Sequence, residues 1–173
     1  MFLGCVIIGA IMNPPQMDAL ATEFITVTRA ELKEKLQQIE ACVAQLTAEQ
    51  LWDRRHETEN AVGNLLLHLR GNVQQWLVCG VGGHSDNRDR DAEFADRVPT
   101  PAEDLLRPLR ETLAGVDAVL AGLSAKDLLN TRQIQGRKLT VLHAIYHVVE
   151  HLSGHVGQII WATKRATGRD LGF

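Results

Sequence analysis

Four stretches of this chain repeat apolar residues at every third or fourth position, and none alternates them at every second. A 3.6-residue period puts such residues on one face of a helix, whereas a strand requires a period of two. The first stretch, residues 18–46, carries Leu20, Phe24, Val27, Leu32, Leu36, Ile39 and Val43. The second, residues 60–79, carries Val62, Leu65, Leu66, Leu69, Val73, Trp76 and Leu77. The third opens on Thr100-Pro101-Ala102-Glu103, with Thr as cap, Pro at the first helical position and Glu at the third. It runs to about residue 123, with Pro108 as a candidate bend. The fourth runs from about residue 139 to 167 and stops at Gly168. Four amphipathic helices with no strand pattern predict an all-α fold, a four-helix bundle.

Thr47 is positioned to cap a short turn, and residues 51–59 read as a connection. Two longer connections remain. Residues 80–99 begin with glycines and continue with charge, and residues 124–138 hold at most one helical turn at 125–129. Loops of that length are often functional, and they leave the order of the helices open.

Composition sets the class. With 45% hydrophobic and 23% charged residues, 173 residues suit one soluble domain with a full core. A net charge of -3 without a basic run argues against nucleic acid and against a membrane-surface helix. Cys5, Cys42 and Cys79 are odd in number and widely spaced, so no disulfide framework is indicated and a reducing cytoplasm is expected. Residues 1–16 stand apart. They are mostly apolar, no Lys or Arg precedes Arg29, and the run is too short to span a bilayer. They read as an N-terminal extension or an over-extended start, and residues 17–173 as the single domain.

The chemistry is concentrated in the fourth helix. His143, His147, His151 and His155 recur every four residues, so their side chains lie nearly above one another. One ion cannot take all four, because His143 and His155 are about 18 Å apart along the axis. On a helical wheel the apolar stripe centres about 120° from His151, with His155 about 40° toward it and His143 about 80° away. His151 and His155 are therefore best placed to reach an inter-helix cleft. His147 is an alternative ligand or a group behind the ligands, and His143 is a solvated residue. His68, at the margin of the second helix's apolar face, is the natural third ligand. Three neutral imidazoles with an open position suit a catalytic divalent ion, zinc or nickel first, with iron(II) and manganese open on ligand type.

Neighbouring residues follow from the same wheel. Gln158 lies on the histidine side and is placed either to bond a ligand or bound water or to cap another helix, and Asn72 is placed behind His68. Asn64 reads as surface. Gly154 and Gly157 flank His155 and read as sites of close helix packing, with substrate access as the alternative. Glu150 points away from the core, so no carboxylate stands out as a base. Arg88, Asp89, Arg90 and Asp91 read as ion pairing within a charged surface loop, with a substrate carboxylate on Arg88 or Arg90 as the alternative.

The segments NAVGNLLLHLRGN and YHVVEHLSGHVGQII resemble the DinB/YfiT-like superfamily of four-helix-bundle proteins, and in particular a bacterial branch of unknown function. The HxxxHxGQ core stands at His151, His155, Gly157 and Gln158, with the lone upstream histidine at His68. RDRDAEFADR and the ending TKRATGRDLGF are similar too, so the likeness spans about residues 18–173. It implies a divalent metal held by His68, His151 and His155. For some relatives it also implies metal-dependent transfer using low-molecular-weight thiols. The expected function is a metal-dependent enzyme of small-molecule chemistry, a thiol-dependent transferase or a hydrolase, working as a homodimer. The alternative is a non-catalytic metal- or ligand-binding bundle.

Overall fold

The computed structural model describes residues 13–173. The reading of residues 1–12 lies outside them. The described chain is predominantly helical: α1 (Pro14–Val43), α2 (Ala48–Leu51), α3 (Val62–Val73), a π-helical segment (Gln74–Val81), α4 (Arg90–Ala95), α5 (Ala102–Ala121), α6 (Ala125–Leu129), a hairpin of β1 (Thr131–Ile134) and β2 (Arg137–Thr140), and α7 (Val141–Thr167). No helix among the described residues is long and apolar enough to cross a membrane.

Each long helix is bounded by the chemistry of its ends. Asn13 and Gln16 form a reciprocal capping box ahead of Pro14, so α1 begins earlier than residue 18. Thr47 caps α2 through the amide of Gln50. α5 starts at Ala102, one residue later than expected, with Pro101 at the cap position, and continues through Pro108. Thr140 Oγ1 accepts from the His143 amide to open α7, and Gly168 closes it with φ of 66°, a left-handed turn.

The long helices share one core. α1 packs on α7 and α5, and α3 packs on α5 and α7. Their apolar stripes supply fully buried Ile39, Leu69, Leu109, Leu120, Ile145, Leu152 and Ile159. Burying each contributes about 1.5–3 kcal/mol, and α7 alone places seven apolar residues there, from Val141 to Ile159. His151 and His155 are therefore fixed in rotation by core packing rather than by their own contacts.

The two long connections hold structure that the period did not show. The π-helical segment extends the second helix to Val81, and α4 forms within the remaining loop. The expectation of no strand is corrected by the hairpin: Thr131 pairs with Thr140 and Ile134 with Arg137. Gln135 and Gly136 both have positive φ, the geometry of a tight two-residue turn. Only Ile134 and Leu139 of the hairpin are buried, so its strands carry too few apolar residues to alternate visibly. Ile134 docks against Gly80, where a Cβ would lie 2.5 Å from its Cδ1.

Candidate metal centre

His68 lies on α3 in a second row beside the apolar one. Asn64, His68 and Asn72 stand four apart and all three are buried, at 0, 3 and 4% exposure. Burying polar groups is costly unless they are hydrogen-bonded, and two of the three are. Asn64, expected at the surface, instead donates from Nδ2 to the carbonyls of Glu93 and Asp96 at 2.9 and 3.1 Å, and its Oδ1 accepts from Arg54. It thereby ties the chain around α4 to α3. Asn72 Oδ1 has no partner among the described residues, so no bond links Asn72 to the histidines.

That tie brings a carboxylate to His68. Glu93 Oε2 lies 3.0 Å from His68 Nδ1. Arg88 grips Glu93 with both arms, Nε to Oε1 at 2.7 Å and Nη2 to Oε2 at 2.8 Å, and donates from Nη1 to Gln75 at 3.0 Å. The room for this pair comes from Gly71, where a Cβ would lie 1.9 Å from Glu93 Oε1. Burial pushes the Glu93 carboxyl up, but the hydrogen bonds from Arg88 and His68 outweigh it and hold the group below its ordinary range. An ionised acceptor at Nδ1 favours the tautomer with the proton there, which leaves the Nε2 lone pair directed at His151. Two expectations are corrected together: a carboxylate does stand at the histidines, and Arg88, expected to pair at the surface or to meet substrate, is buried against that carboxylate. Arg90 lies over the Phe94 ring instead, 5.0 Å from its centroid.

Across the cleft, His68 Nε2 is 3.2 Å from His151 Nε2. The rings of His68 and His155 are 5.0 Å apart, and those of His151 and His155 are 4.5 Å apart. One ring nitrogen from each of the three falls within 4.8 Å of the others. A tetrahedral ion with nitrogen ligands at 2.0–2.1 Å needs donors roughly 3.4 Å apart, so the cluster suits one. His155 donates from Nδ1 to Gln158 Oε1 at 2.8 Å, leaving its Nε2 unprotonated. His151 Nδ1 is buried without a partner among the described residues. His147 is outside the cluster: its ring lies 4.0 Å from that of Trp76 and 5.6 Å from that of His151. His143 is exposed. The close packing expected at Gly154 and Gly157 is not seen: an added Cβ at either meets no atom within 4 Å among the described residues, so among them the face beside His155 is open. Cys42 and Cys79 are free and buried.

His151 and His155 are electrically suited to a cation. Burial, followed by the nearness of His155, His68, His147 and Arg88, drives the His151 imidazole down from 6.5 to about 3. Burial likewise lowers His155 despite its bond to Gln158. Both are neutral donors at pH 7. Unfolding restores ordinary basicity, so between about pH 6.5 and 3 the unfolded chain binds more protons. The metal-free protein should be most stable above pH 6.5 and lose stability as the pH falls, by up to about 2 kcal/mol at pH 5 from His151 alone. Urea titrations at pH 7.5 and 5 read this; equal midpoints would contradict the burial of His151.

The chain matches, over residues 19–172, the model of a family described as a protein of unknown function, DUF1572. Among solved structures it is similar to a conserved protein from Enterococcus faecalis, with a TM-score of 0.70 and 14% identity over 83% of this chain and 97% of that one. It is also similar to a DinB-like protein from Bacillus cereus, with a TM-score of 0.65 and 18% identity over 87% of this chain and 94% of that one. No curated protein matches the chain.

Proposed function

The chain belongs to the DUF1572 family and has the fold of DinB-like proteins, and from that premise we propose that it is a four-helix-bundle metalloenzyme of small-molecule chemistry. His68, His151 and His155 are its ligands, and a low-molecular-weight thiol is its cosubstrate. The observation that carries the metal is the convergence of three imidazoles from two helices, two of them held through Nδ1 by Glu93 and Gln158. A bound divalent ion, zinc or nickel first, would supply Lewis acidity and would lower the pKa of a ligating water or thiol.

The chain's own residues do the rest. Glu93 holds His68 in one tautomer, and Gln158 does the same for His155. The core behind α7 keeps bulk water from the buried side of His151. Gly154 and Gly157 leave the outer side open to a small molecule. Glu93 is not a free base, because Arg88 and His68 occupy both of its oxygens. Glu93 is thus not available as a base, which favours a nucleophile brought in by the substrate. A dimer is the assembly we expect.

The test is metal content of untagged protein, followed by a screen with glutathione, bacillithiol and mycothiol against simple electrophiles, beside ester and amide substrates. About one equivalent of metal and thiol-dependent turnover are expected. Hydrolysis without thiol would replace the transferase reading with a hydrolase. Metal without turnover or thiol binding would leave a metal-binding bundle.

A further inference from the structure

The histidine row continues past the three converging rings into a second feature. His147 and Trp76 form part of the wall of a separate cavity of about 400 Å³, a size that suits a small molecule. Arg137, Lys138 and Thr140 from β2 and His143 from the first turn of α7 also line it. No Asp or Glu does. Glu150, whose charge acts on His147, is exposed and is not part of the wall.

Two observations give this cavity a sign. Arg137 and Lys138 are exposed and make no side-chain hydrogen bond or ion pair among the described residues, unlike Arg29, Arg88, Arg110 and Arg165, each of which holds a carboxylate. Thr140 caps α7, so the positive end of a 27-residue helix dipole lies at the same place. A larger cavity of about 930 Å³ near Trp52 has no such bias, since Arg54, Arg55 and Arg97 are offset there by Glu49, Asp53 and Glu57.

We propose that the cavity between the hairpin and the start of α7 is an oxyanion subsite, holding a carboxylate or phosphate of the substrate one helical turn from the three histidines. Arg137 and Lys138 supply the charge, and Trp76 and His147 supply an aromatic wall. The link to a reacting end rests on the metalloenzyme reading, but the anion site itself does not.

The experiment therefore uses metal-free full-length protein, titrated calorimetrically with inorganic phosphate and, separately, with glutarate at low ionic strength. Saturable binding of at least one is expected, and the tighter of the two identifies the oxyanion. Arg137→Gln/Lys138→Gln should weaken it by about tenfold, as removal of two partly screened charges implies. Lys126→Gln, on α6, should leave it unchanged. No saturation by either anion up to about 10 mM, or equal affinity in the double variant, would overturn the subsite. If the wild-type protein binds anion but takes up no zinc, the metal reading fails and the subsite stands.

Discussion

His151→Ala is expected to abolish stoichiometric binding of zinc or cobalt(II), with affinity falling by at least about a hundredfold, since even groups behind a ligand are worth 10–100-fold. His151 is central to the cluster: its Nε2 meets that of His68 at 3.2 Å, and its ring lies 4.5 Å from that of His155. His155→Ala should behave alike. His143→Ala should change affinity by less than about twofold, because an exposed substitution away from the cluster changes little. Competition with a chromophoric chelator measures all three. One ion per chain in His151→Ala would show that the metal, if any, lies elsewhere.

Glu93 carries the second large effect. Its carboxylate neutralises Arg88, whose side chain is nearly buried. Removing one partner of such a pair costs about 3–5 kcal/mol, because the remaining charge has no compensation. Glu93→Ala should therefore lower unfolding free energy by about that amount in the metal-free protein, and should weaken metal binding by about 10–100-fold through the loss of orientation at His68. The two effects are separable. Arg88→Met/Glu93→Met removes both charges and should recover most of the stability without recovering the metal affinity. Gly71→Ala retains both charges but places a methyl group where Glu93 Oε1 now lies, and should also weaken metal binding. Urea denaturation with metal titration reads the series. Unchanged affinity in Glu93→Ala would reduce Glu93 to a structural ion pair.

The relation between sequence and structure differs from element to element. α7 was legible in its stripe and its end: its buried positions follow one helical face and Gly168 closes it, while its start was read two residues early because Leu139 and Thr140 belong to β2. His151 and His155 were legible with it, because side-chain direction on a helix is a matter of rotation alone. His68 was legible as a polar residue at the edge of an apolar face. Glu93 was not. It lies 25 residues from His68 within a charged loop, and nothing local distinguishes it from Asp89, Asp91 or Asp96. The one available signal was Gly71, a mid-helix glycine three residues after His68, whose missing side chain proved to be the space for the ion pair.

The hairpin was hidden for a related reason. Four-residue strands with a single buried side chain each have no period to detect, and Gln135-Gly136 is a weak turn signal beside Asn-Gly. Its strands are held by their own ladder and by Ile134 packing on Gly80, contacts that exist only once the π-helical segment is in place.

The sequence by itself determined the helices and the histidine row, since both depend on a period of 3.6 residues and on caps read from adjacent positions. Only the tertiary structure decided what meets that row: Glu93 and Arg88 behind His68, and Arg137 and Lys138 beside His147. Charge pairs and cavities form between residues far apart in the chain, where backbone connectivity imposes no spacing and the packed core alone sets the distance.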